Sequence, residues 1–134
     1  MSPGVEPAGR AVILVVEDEP EIRELEKYFL ERAGFEVQFA DDGELALEMV
    51  NTINPDVVVT ELLVPKLDGL ALCRAIKGDE SHADAAVLVF SFLAAAGRAK
   101  EAGADAFLRK PLARRALIEA VQRLLRQQRE GEDG

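Results

Sequence analysis

The sequence predicts an α/β fold, a parallel sheet with helices on both of its faces. Three observations predict it. Apolar runs of strand length alternate with segments of helical period, five of each kind. The first run, Ala11 to Val16, is apolar at every position, as in a strand covered on both sides. Parallel neighbours, finally, need crossover connections long enough to hold a helix, and the spacing of the runs provides them.

Each element has a local reason. After the first strand, Pro20 suits an opening helical turn, and Ile22, Leu25 and Phe29 recur at helical spacing until Gly34 can end the helix. Phe35, Val37 and Phe39 alternate with polar residues and form the second strand. Asp42 caps a helix carrying Leu45, Ala46, Met49, Val50 and Ile53, which Pro55 ends. Val57 to Val59 is the third strand. Asp68 to Lys77 is a helix with Leu72 and Ile76 on one face, stopped near Gly78. Ala85 to Phe90 is the fourth strand. Ala94 to Ala102 is a short helix interrupted by Gly97, and Ala106 to Leu108 a brief fifth strand. Ala113 to Gln128 is the last helix, with apolar residues at Leu117, Val121, Leu124 and at Ile118, Leu125. Residues 10–128 form one domain between flexible tails, 1–9 with two Pro and two Gly and 129–134 polar with two Gly.

Composition narrows the class of protein. The 134 residues suffice for one domain with a normal core, and 49% apolar with 31% charged is a globular balance. One cysteine and one histidine exclude an internal disulfide and argue against a Cys/His zinc site. No leader or membrane-length apolar stretch is visible, so the expected location is the reduced cytoplasm, away from membranes. The net charge of −9 argues against nucleic acid as a direct partner. That charge is uneven: residues 1–108 carry −12 and residues 109–129 carry +6. A basic terminal segment beside an acidic body suits an acidic protein surface or a second copy of the chain, though solvated arginines explain it equally well.

In doubly wound folds, sites form at the carboxyl ends of the strands. Glu17, Asp18 and Glu19 follow the first strand here, Glu61 follows the third, Ser91 the fourth, and Lys110 with Pro111 the fifth. Clustered carboxylates resist ionising together unless a cation sits among them. Hard oxygen ligands favour Mg²⁺, and Lys110 could neutralise the rest or hold an anion.

These residues carry a resemblance. I-L-V-V-E-D-E at 13–19, P-D-V-V-V-T-E at 55–61, P-K-L-D-G at 65–69, G-A-D-A-F at 103–107 and R-K-P at 109–111 together resemble the receiver domain of two-component response regulators. The resemblance implies a flavodoxin-like sheet of order 2-1-3-4-5 and assigns roles by position. Glu17 and Asp18 match the acidic pair that, with the phosphoacceptor, binds Mg²⁺, and Glu61 stands at the phosphoacceptor position. Ser91 matches the switch hydroxyl and Lys110 the phosphoryl-contacting lysine. Pro111 matches a proline that commonly follows in a cis bond, and Phe107 the aromatic that reports activation.

Three departures bear on function. The acceptor is glutamate rather than aspartate, and its extra methylene carries the carboxylate about 1.5 Å further out. Misplacement of that order can cost ~100-fold where rate depends on positioning. Phe92 follows Ser91, where the family usually has a small residue, and could block the pocket. The span from Ser91 to Gly103 is short, so the fourth helix should be short or irregular. The expected function is therefore a phosphorylation-independent signalling and protein-interaction module, not an enzyme. The alternative is a Mg²⁺-dependent receiver still phosphorylated by a histidine kinase. Metal binding by Glu17, Asp18 and Glu61 stays open, because a longer Glu61 could reach Lys110 and use it as the internal cation. The expected output surface is the fourth helix, fifth strand and fifth helix, engaged by a protein partner or by self-association. A flavodoxin-like cofactor enzyme is disfavoured because E-D-E-P puts carboxylates where a phosphate loop needs amides. A phosphatase would lack its usual aspartate on the first strand.

Overall fold

The computed structural model describes residues 10–111 and 114–133. Its strands are β1 (Val12–Val16), β2 (Glu36–Ala40), β3 (Val57–Thr60), β4 (Ala86–Ser91) and β5 (Ala106–Arg109). Its helices are α1 (Pro20–Arg32), α2 (Gly43–Ile53), α3 (Gly69–Lys77), α4 (Ala96–Glu101) and α5 (Arg114–Asp133). All strand pairs are parallel, in the order β2-β1-β3-β4-β5.

Alternation along the strands divides the interior into two layers. Leu14, Val16, Val58, Val87 and Val89 face α2, α3 and α4, where Ala46, Val50, Leu72, Ile76 and Ala99 complete one core. Ile13, Val15, Val57, Val59 and Leu88 face α1 and α5 and pack with Leu30, Leu117, Val121 and Leu124. The three central strands are buried along almost their whole length, so their apolar runs show no polar alternation.

Asp42 caps α2 as expected, accepting a hydrogen bond from the Leu45 amide, whereas Asp68, expected as the first residue of the third helix, instead caps α3 by accepting from the Ala71 amide. Gly34, at φ +101°, closes α1 in a conformation that a side chain resists. The short α4 has six residues.

One expectation needs correction. α5 continues to Asp133 instead of ending at Gln128, since Gln, Arg and Glu are good helix formers that a polar tail reading undervalues. Gln128 itself donates to the carbonyls of Asp56 and Asp84, which ties this helix to the lower edge of the sheet. The second row of α5 offers little free apolar surface: Leu125 packs against the core and Ile118 is half-buried. Large exposed apolar side chains lie elsewhere, at Leu25, Tyr28, Leu45, Leu63, Phe92 and Leu93. His82 is half-buried and lies within 2.7 Å of the Asn51 side-chain oxygen. The tail at 1–9 and the expected helix start at Ala113 lie outside the described residues.

Candidate functional site

The site grows directly out of the sheet. The main-chain ladder continues one residue past three strands: the Glu17 amide donates to the Ala40 carbonyl, Glu61 to Val16, and Lys110 to Ser91. These bonds fix the backbone of all three charged residues at the same carboxyl edge, with Ser91 of β4 between Glu61 and Lys110. Thr60 and Ser91, immediately below, are fully buried.

There the side chains form one network. Lys110 Nζ donates to Glu17 Oε1 at 2.6 Å and to Glu61 Oε1 at 3.1 Å. Ser91 Oγ donates to Glu61 Oε2 at 2.5 Å, and that oxygen also accepts the amides of Leu62 and Leu63 at 2.6 and 3.3 Å. The longer Glu61 thus reaches both Ser91 and Lys110 at once. Glu17 Oε2 accepts the Glu19 amide at 3.2 Å.

A third carboxylate joins from α1. Glu26 Oε2 lies 3.6 Å from Lys110 Nζ, and Glu26 is only 6% exposed. Sequence reasoning missed it, although a signal existed: Glu26 falls four residues after Ile22 and four before Leu30, on the helix face that turns inward. A glutamate in an apolar row is the anomaly. Burial pushes its pKa up to about 7; Lys110 opposes that shift, while the charges of Glu17 and Glu61 add to it. For Lys110 burial acts downward, but the hydrogen bond to Glu17 and the charges of Glu26, Glu17 and Glu61 outweigh it and hold the ammonium above its ordinary value.

The aromatic residues flank this cluster. The Phe90 and Phe92 ring centroids lie 5.1 and 5.5 Å from Lys110 Nζ. Phe92 is 51% exposed and, with Ile22, Leu25, Phe90 and Pro111, lines a cavity of about 160 Å³ between α1 and α5. Arg109 Nε donates to the Phe92 carbonyl at 2.7 Å, which holds the β4 exit against β5. Phe107 is half-buried opposite Val89 and packs against the core on the α4 side. The Lys110–Pro111 peptide is cis.

Mg²⁺ fits these residues poorly as they stand. The ion needs free carboxylate oxygens in near-octahedral array. Glu17 Oε1 and Glu61 Oε1 are given to an ammonium, and Glu61 Oε2 to a hydroxyl and two amides. Asp18 is exposed and outside this network. Among the described residues no group of three Asp, Glu, His or Cys side chains is arranged to hold a metal ion. The only cysteine, Cys73, is buried in α3, and burial pushes its thiol up to about 11.

Fold, edge position and residue types define a receiver, and comparison with known proteins agrees. The response regulator receiver domain family matches residues 13–122, and the chain belongs to that family. It is 35% identical over 120 residues to the DNA-binding dual master transcriptional regulator RpaA of Synechocystis, covering 85% of this chain and 48% of that protein. It is 36% identical over 117 residues to the response regulator MprA of Mycobacterium tuberculosis, covering 85% and 50%. Among solved structures, the signal receiver domain of a histidine kinase from Syntrophus aciditrophicus superposes with a TM-score of 0.83 at 33% identity, covering 87% and 91%. The chemotaxis response regulator CheY4 of Vibrio cholerae gives 0.81 at 27%, covering 87% and 99%.

The chain spans about half the length of the curated relatives it matches. One expectation falls here. The acidic charge argues against nucleic acid as a direct partner and for a protein partner or self-association, yet RpaA is by name a DNA-binding regulator. A charge of −9 describes the receiver unit and says nothing of what the remaining half of such a protein touches. No helix among the described residues is long and apolar enough to cross a membrane.

Proposed function

We propose that this receiver signals without the phosphorylation cycle, as a non-enzymatic module whose acceptor pocket is closed by its own side chains. The observation that carries this reading is Glu61: its two oxygens are engaged by Ser91 at 2.5 Å and Lys110 at 3.1 Å. Those are the hydroxyl and the cation that the family resemblance assigns to an incoming phosphoryl group. A phosphoryl donor would meet a carboxylate with no free oxygen, and Phe92 crowds the lysine from the side. The glutamate supplies one negative charge where a phosphoryl group would bring one to two more, so the pocket stays in one intermediate state. The names of transcriptional regulators among its relatives support transcription as the process it serves.

The test is incubation with Mg²⁺ and acetyl phosphate, followed by intact mass. The wild-type chain should gain nothing, whereas Glu61→Asp, whose shorter side chain frees Ser91 and Lys110, should gain one phosphoryl group. A base-labile phosphoryl adduct on the wild-type chain, lost in Glu61→Gln, would overturn the reading.

A further inference from the structure

We infer that Lys110 is the resident cation of this pocket in place of a divalent metal, and that Glu26 is the third carboxylate of its cage. The inference builds on the closed pocket described above; its test reads metal and not phosphate, so the two can fail separately.

The first support is the set of partners around the ammonium. Two of its N–H donors go to Glu17 at 2.6 Å and Glu61 at 3.1 Å, and Glu26 stands at ion-pair distance, 3.6 Å, on the remaining side. They arrive from separate elements, two from strand ends and one from α1, so the lysine is enclosed from both the sheet edge and the α1–α5 side.

Glu26 gives the second support. Its neighbours along the inward row are Ile22 and the fully buried Leu30, and a carboxylate there loses its water without any local polar compensation. Among the described residues Lys110 is the cation within ion-pair distance of it. A buried glutamate on an apolar face has no packing value, whereas beside Lys110 it adds to the negative field that keeps the lysine charged and in place.

Two measurements test this on the whole chain. Wild-type protein titrated with Mg²⁺ in thermal unfolding at matched ionic strength should keep its Tm, and Mn²⁺ should stay free in solution by its paramagnetic signal. Lys110→Met should lose several degrees and recover part of that loss with Mg²⁺, because three carboxylates then lack a cation. Measured at pH 8 or above, where Glu26 is ionised beside Lys110, the Lys110→Met loss should be clearly smaller in a Glu26→Gln background, since that ion pair is already gone. If Lys110→Met alone does not fold, the double variant carries the Mg²⁺ arm. Saturable Mn²⁺ uptake or a Mg²⁺-raised Tm in the wild-type chain would overturn the inference. An equal Lys110→Met loss in both backgrounds would remove Glu26 from the cage.

Discussion

Glu26 shows how much a single residue can weigh at this site. Its carboxyl is pushed up to about 7 from an ordinary value of 4.5, first by burial. Below pH 4.5 folded and unfolded chains both hold the proton, and the group makes no difference between them. Between 4.5 and about 7 the folded chain keeps a proton that the unfolded chain releases, so stability falls as pH rises. Above 7 the whole cost is present, on the order of 3 kcal/mol for a shift of this size. Chemical denaturation from pH 4 to 8 should therefore show wild type losing stability relative to Glu26→Gln across that window. Parallel profiles for the two proteins would contradict the assignment. Among residues of the network, Glu17, Glu61, Ser91 and Lys110 were legible from their places after strands. Glu26 was not, because a helical glutamate ordinarily faces water and only its register with Ile22 and Leu30 betrays it.

At the scale of elements, the loop after β3 and the start of α3 set the position of Glu61. A Cβ added at Gly69 would sit 2.5 Å from the Glu61 carbonyl oxygen and 2.9 Å from Leu62 Cα, both backbone atoms with little freedom to yield. Gly69→Ala should thus shift the β3 exit and loosen the Ser91 contact, visible as chemical-shift changes at Glu61, Leu62 and Ser91 and a lowered Tm. Asp68→Ala should cost about 1 kcal/mol through the lost cap and leave those shifts in place. If Gly69→Ala perturbs nothing beyond α3, the loop does not govern the acceptor. The elements themselves were legible from apolar runs and caps to within a residue or two. The end of α5 was not, because its last turns carry no apolar periodicity to announce them, and α4 is so short that its alanines and Gly97 give only a weak pattern.

Across the whole molecule, the two-layer core delivers five strand ends to one edge, and four of those ends carry the network. The fold was readable because continuous apolar runs and crossover-length spacers admit few other arrangements. Partners were not readable, since net charge belongs to the unit at hand and relatives twice as long include a DNA-binding regulator. On the function proposed above, Glu61 already occupies Ser91 and Lys110 and leaves no place for a phosphoryl group. Beryllium fluoride, a tetrahedral phosphoryl mimic, is the decisive probe when added with Mg²⁺ to isotopically labelled wild-type chain. The amide signals of Leu62, Ser91 and Phe107 should stay where they are, while Glu61→Asp develops a second set. A second, saturable set of signals at those residues in the wild-type protein would contradict the claim.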